Sequence, residues 1–349
     1  MTAVRKTVVR KTADRPRKAP ARGKAAAAND LAMNLALQGG GVRGAFTWGV
    51  LDRMLEAGGF AFDGVSGTSA GAVNAVLLAS GLAENGPEGA REKLDTFWRD
   101  ISHGPDSEFL TQAKTAMPQI EPANLVWNGP SYVADMFSRF MSPYQFNPLD
   151  YNPLRTVVEN LVDFDLIRDR APLRLFIAAT DVTNGRSRVF TPDEISLDVI
   201  MASTSLPHLH HAVQVGARYY WDGGYSANPC LAPLVRDCTA ADTLLVQLIP
   251  TFKAGVPTTK DEISDRLNHI IFSEPLRREV ALLAHAGDAE SGGEATLSAT
   301  GHRFHLIDAT PFTQDLAPGS GLNPDWQLIS KLRDLGRTAA EMWLEEKLG

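Results

Sequence analysis

The chain has 349 residues, 44% hydrophobic and 21% charged, a composition ordinary for a globular protein and enough to bury a core without a disulfide or metal staple. Its two cysteines, Cys230 and Cys238, fit neither a C-x-x-C redox motif nor a zinc-ligand pair, and read as buried or free thiols of a reducing compartment. Residues 1–24 hold nine Lys/Arg against one acid, Asp14, so a tail of +8 precedes a body of −15 within a net charge of −7, and such an acidic body is a poor wrap for nucleic acid.

Residues 1–30 have too few apolar side chains to fold alone and read as a disordered basic tail. No apolar h-region follows its charges, so it is not a signal peptide. It is either a solubilising arm or a peripheral contact, through residues 1–24, for an anionic surface. The longest apolar run, 72–83, is shorter than the ~18–20 residues of a membrane span and reads as a buried helix. The expected location is cytoplasmic, at most peripheral to a membrane.

From residue 31 short apolar strands alternate with amphipathic helices, the pattern of an α/β layered fold in one domain over 31–349. MNLALQ (33–38) reads as a strand that glycines turn into a helix over 43–58. FDGVSG (62–67) is the next strand, followed by the helix-like TSAGAVNAVLLAS. A further helix, REKLDTFWRDI (91–101), spaces Leu94, Phe97, Trp98 and Ile101 on one face. The segment 103–153 has no clean period. Its Tyr132, Met136, Phe137, Phe140, Met141, Tyr144 and Phe146 fit ordinary core packing or a mobile cap over an acyl chain. LRLFIAATDV (173–182) is a strand with an Asn-Gly hairpin signal after it. Further strands are ARYYWDGG (217–224), ADTLLVQLIP (241–250) and HRFHLIDA (302–309). Helical sequence with Gly/Ser interruptions fills 251–300, and a long helix starts near 325.

Two glycine-rich turns carry the chemistry. Gly39, Gly41 and Gly44 spell G-x-G-x-x-G, with Asp63 at the distance of a ribose-binding acid. Asp63, however, precedes the apolar residues of its strand, whereas a ribose-binding acid ends that strand. The strand's C-terminal end holds Gly67-Thr68-Ser69-Ala70-Gly71 instead, a G-x-S-x-G between strand and helix, the setting of a nucleophile elbow. A glycine loop beside a serine elbow suits an oxyanion hole better than a pyrophosphate site. The plainer alternative for Ser69 is a helix cap. His208, His210 and His211 lie in PHLHH (207–211), but no third ligand stands at metal spacing, and neither a catalytic histidine nor a metal is expected there. Asp222 ends an aromatic strand before Gly223 and Gly224, where it is either a base or a turn aspartate.

The ordered set GGGVRG (39–44), GTSAG (67–71), ASTSLP (202–207) and DGG (222–224) closely resembles the patatin-like phospholipases. The resemblance implies a three-layer α/β/α sandwich and metal- and cofactor-free cleavage of lipid acyl esters by a Ser69–Asp222 dyad. It also implies an oxyanion hole from the glycine loop (Gly39, Gly40, Gly41) with Ala70. Arg43 would rigidify that loop, and Gly44, Gly67, Gly71, Gly223 and Gly224 would support the turns. The chain departs from the family at His208-Leu209-His210, where an aromatic residue and then a proline are usual. An esterase or depolymerase for another acyl ester, a nucleotide-binding protein, and a non-catalytic lipid-surface protein are the competing readings.

Overall fold

The computed structural model describes residues 30–103, 142–285, 302–313 and 325–348. The basic tail and the segment 104–141, with the first five of the seven cap candidates, lie outside the described residues. Eight strands among them form one sheet: β1 Leu31–Leu37, β2 Phe60–Thr68, β3 Arg174–Asp181, β4 Ser187–Phe190, β5 Val213–Val215, β6 Arg218–Asp222, β7 Asp242–Gln247 and β8 Arg303–Asp308. The order is β5-β6-β3-β2-β1-β7-β8, with β4 also paired to β3. β3, β2, β1, β7 and β8 run parallel, and the buried runs of β1, β3 and β7 reflect cover on both faces. β4 and β6 are antiparallel to β3, and the Asn-Gly signal becomes the hairpin turn from β3 to β4, with Gly185 at φ 69°.

The longer helices are α1 Gly44–Ala57, α2 Ala70–His103, α3 Pro153–Leu161, α4 Phe164–Arg170, α5 Leu197–Ser203, α6 Ala232–Asp237, α7 Lys260–His285 and α8 Trp326–Leu348. On β1, Met33, Leu35 and Leu37 point into a large core with Phe46, Leu51, Leu77 and Leu332 of α1, α2 and α8. Ala36 points the other way, into a smaller core with Phe176, Leu231, Leu234 and Leu276 beneath α6 and α7. Helices therefore flank the sheet on both faces, in three layers. The two helices expected over 68–101 are both present within α2, separated where Asn85 and Gly86 leave helical geometry before Pro87. The chain reverses in a strand-turn-helix manner after β1 and again after β2, so both glycine-rich turns sit at the C-terminal edge of the parallel strands.

Candidate active site

Register alone brings the two candidate catalytic residues together. Thr68, the last residue of β2, pairs with Ala178 of β3, and Ala179 pairs with Asp222 at the end of β6. Ser69 and Asp222 thus flank the same short piece of β3, although 153 positions separate them in the chain.

Ser69 occupies the turn between β2 and α2 at φ 54°, a left-handed conformation that only one other non-glycine residue, Asp150, shares among the described residues. Such a backbone costs on the order of 1–3 kcal/mol and is kept only where its surroundings enforce it. Here they do. The Ser69 N–H donates to Ser203 Oγ at 2.9 Å, and that hydroxyl donates to the Ala178 carbonyl at 2.7 Å. The Ser69 carbonyl accepts the N–H groups of Ala72 and Val73 in the first turn of α2. Thr68 Oγ1 donates to the Ala227 carbonyl at 2.9 Å. The turn also needs close packing: a Cβ on Gly71 would stand 2.1 Å from the Leu37 carbonyl oxygen. Gly67 lies against Gly71, Gly44 against Ala70, and Gly223 against the Ala178 carbonyl in the same tight cluster.

Asp222 is fully buried. Its Oδ1 accepts the Gly224 N–H at 2.7 Å, and its own N–H donates to the Ser205 carbonyl at 2.8 Å. Oδ2 is buried with no hydrogen-bond partner of normal length among the described residues. Burial pushes the carboxyl up to about 7, against the weaker pull of the Gly224 amide and of the Ser69 hydroxyl, which lies close enough to favour the ionised form. A carboxylate whose pKa is raised towards neutrality beside a serine can accept a hydroxyl proton and later return it.

The glycine loop follows β1. Gly39 presses against the serine: a Cβ there would stand 2.8 Å from Ser69 Cβ. Its N–H is already donated to Asn228 Oδ1 at 2.7 Å, so Gly39 offers contact rather than a free donor, contrary to its expected place among the oxyanion donors. Gly40 and Gly41 are not engaged this way, and neither N–H meets an acceptor among the described residues. Gly41 holds φ 59°, which glycine reaches without strain. The Ala70 N–H opens α2 and likewise meets no acceptor among the described residues. Arg43 is half-buried at the start of α1 and donates its own N–H to the Gly40 carbonyl at 3.2 Å. Burial pulls its guanidinium down, and Asp265 of α7 opposes that pull.

Sequence reasoning missed the residues that hold this loop. Asn228 is fully buried; besides accepting from Gly39 it donates Nδ2 to the Phe272 carbonyl of α7 at 2.9 Å. Gln38 Oε1 accepts the N–H groups of Leu248 and Ile249, and its Nε2 donates to the Asn228 carbonyl. The only available signal for Asn228 was an asparagine six positions after the aspartate and directly before a proline. The histidines form a separate cluster. His211 stacks on Tyr144 at 4.0 Å and lies 3.6 Å from Asp150, while burial lowers His210 to about 4. Asp63 accepts from Thr239 and Ala240 and ties β2 to the loop before β7, so its sequence distance from the glycines serves the fold. Cys230 and Cys238 are free and half-buried.

No helix among the described residues is long and apolar enough to cross a membrane. No curated protein matches the chain. Among solved structures the chain is similar to VipD from Legionella pneumophila, with 14% identity and a TM-score of 0.42, over 95% of this chain and 71% of that one. It is also similar to the ExoU–SpcU heterodimer structure from the type III secretion system of Pseudomonas aeruginosa, with 15% identity and a TM-score of 0.36. That match covers 94% of this chain and 52% of the other, so this chain spans about half its length. The family profile described as patatin-like phospholipase matches residues 35–235, from β1 past Asp222. That match takes in the glycine loop, the serine elbow and the buried aspartate and covers more than half of the chain, which therefore belongs to the patatin-like phospholipase family and is a hydrolase of carboxylic esters.

Proposed function

We propose that the protein is a lipid acyl hydrolase of the phospholipase A or lysophospholipase type, acting through a Ser69–Asp222 dyad. The observation that carries this reading is the buried Asp222 carboxyl, raised to about 7 beside a strained serine elbow. Ser69 Oγ attacks the ester carbonyl carbon as its proton passes to Asp222 Oδ2, so no free alkoxide forms. The oxyanion meets the N–H groups of Gly40, Gly41 and Ala70, each worth on the order of 100–1,000-fold in rate. The tetrahedral intermediate collapses, the C–O bond to the alcohol breaks, and Asp222 returns its proton to the leaving oxygen. Water then attacks the acyl-enzyme, again giving its proton to Asp222, and Ser69 recovers that proton as the fatty acid leaves. Each step conserves the proton, and no cofactor takes part.

One acyl hydrolase domain over residues 31–349 is the matching organisation, supported by the single sheet and by the packing of α8 on α1. The expected test is labelling with a fluorophosphonate and peptide mapping. A single adduct on Ser69, absent in Ser69→Ala, and ester turnover that rises with pH through about 7 as Asp222 ionises, support the dyad. An adduct elsewhere, or a folded histidine variant as inactive as Ser69→Ala, would overturn it.

A further inference from the structure

α7 is apolar on two opposite sides. Its inner side holds the candidate active site. Phe272 packs over Tyr225 with ring centroids 5.1 Å apart and closes on Gly224, where a Cβ would meet its ring at 2.3 Å. Leu276 is buried in the smaller core, and Glu279 Oε1 accepts the N–H groups of Leu231 and Ala232. The outer side presents Ile263, Leu267, Ile270 and Ile271 to solvent, 38–54% exposed, at a spacing that gathers them on about a third of the helix circumference. The loop before α7 adds Phe252 and Val256, 78% and 85% exposed. A helix wetted on one side normally carries polar residues there, and a cluster of six large apolar side chains marks a contact surface.

Its position says what it contacts. The loop leaves β7 where Leu248 stands against Gly40, and His269 of α7 is bonded to the Pro250 carbonyl. Asp265 is the acidic neighbour of Arg43. The 252–256 end of the patch therefore follows directly from the part of the chain that stands against the glycine loop. Several polar groups within it are paired internally. Lys253 pairs with Asp265, Arg266 donates to the Ala254 carbonyl, and Glu262 accepts the N–H groups of Thr258 and Thr259. Paired charges lower the cost of leaving water, and a protruding aromatic and valine at a loop beside an apolar helix face suit insertion among lipid headgroups. We propose that this surface, the outer face of α7 with residues 252–256, docks on a phospholipid bilayer and brings the glycine loop and Ser69 to the interface where lipid esters reside. The proposal rests on the lipid acyl hydrolase reading above.

The test compares full-length wild type with the Phe252→Asp/Leu267→Asp double variant and with Ser69→Ala. The measurements are co-sedimentation with phosphatidylcholine–phosphatidylglycerol vesicles, phospholipid hydrolysis in those vesicles, turnover of dissolved p-nitrophenyl butyrate, and oligomeric state. In the double variant, vesicle binding and vesicle hydrolysis are expected to fall at least about tenfold while turnover of the dissolved ester stays within about twofold. Ser69→Ala is expected to bind vesicles as wild type does. Unchanged vesicle binding in the double variant overturns the proposal. So does an equal loss on the dissolved ester, which would mean that the face packs against this chain, or a change from dimer to monomer, which would assign it to a second copy. Wild-type protein that binds vesicles through this face yet hydrolyses no ester would sink the dyad and leave the docking standing.

Discussion

Asn228 joins two parts of the site through one planar amide. Its Oδ1 takes the Gly39 N–H and its Nδ2 holds the Phe272 carbonyl, so it fixes the peptide that precedes the proposed oxyanion donors. Replacing it with alanine frees Gly39 to turn and leaves a buried N–H unpaired, a cost of about 1–3 kcal/mol. The effect on catalysis follows from geometry: misplaced donors lose transition-state stabilisation and leave ground-state binding alone. Asn228→Ala is expected to lower kcat by about 10–100-fold with KM within about threefold, in protein that still folds. A change confined to KM would show that the loop does not depend on this amide. Ser69 and Asp222 were legible as residues, because an elbow and a strand-end aspartate are local patterns. Asn228 was not, since nothing local tells an amide that spans two elements from one that terminates a turn.

At the scale of elements, α1 and α8 pack more extensively on each other than any other helix pair among the described residues. Gly49 of α1 lies on the Arg333 carbonyl and Gly336 of α8 lies on the Phe46 carbonyl, where added Cβ atoms would stand only 2.0 Å from the oxygens. Asp52, Glu56, Arg91 and Arg337 then link α1, α2 and α8 through ion pairs at the surface. Because α1 begins at the glycine loop, its seating also seats the oxyanion donors. Gly336→Leu must push the helices apart, and is expected to destabilise by about 1–3 kcal/mol, read as a lower Tm with a parallel loss of ester turnover. An unchanged Tm would mean that α8 is not held against α1 as described. Strands β1, β2, β3, β6, β7 and β8 and helices α1, α2 and α8 were readable from period, whereas β5 and α3 to α6 had no reading in the sequence. The two helices within α2 meet at Asn85 and Gly86, which leave helical geometry before Pro87 as such residues normally do, and both halves pack on one core.

The whole molecule sets the protonation of its buried groups, and these have opposite effects on stability. The Asp222 carboxyl is raised from 3.8 to about 7, so the folded state holds a proton that the unfolded chain releases. Its contribution to stability is present below pH 3.8 and is lost as pH rises towards 7. His210 is lowered from 6.5 to about 4, so its contribution is present above 6.5 and is lost as pH falls towards 4. Asp222→Asn removes the first effect and retains an acceptor for the Gly224 amide. At about pH 8 the variant is expected to be more stable than wild type by at least about 1 kcal/mol while losing ester turnover, as measured by denaturant melts beside kinetic assays. A variant less stable than wild type at that pH would show that the carboxylate is not strained by burial. The sequence by itself determined the alternation of strands and helices, the two glycine-rich turns, the elbow serine and the strand-end aspartate, since each is written in neighbouring residues. Only the tertiary structure decided that β6 lies antiparallel beside β3, that the aspartate is dry, that Gly39 is spoken for by Asn228, and that α7 turns an apolar face outward beside the glycine loop. Strand order, desolvation and long-range hydrogen bonds arise from residues far apart in the chain, from 43 positions between Ala179 and Asp222 to 189 between Gly39 and Asn228, and no local pattern carries them.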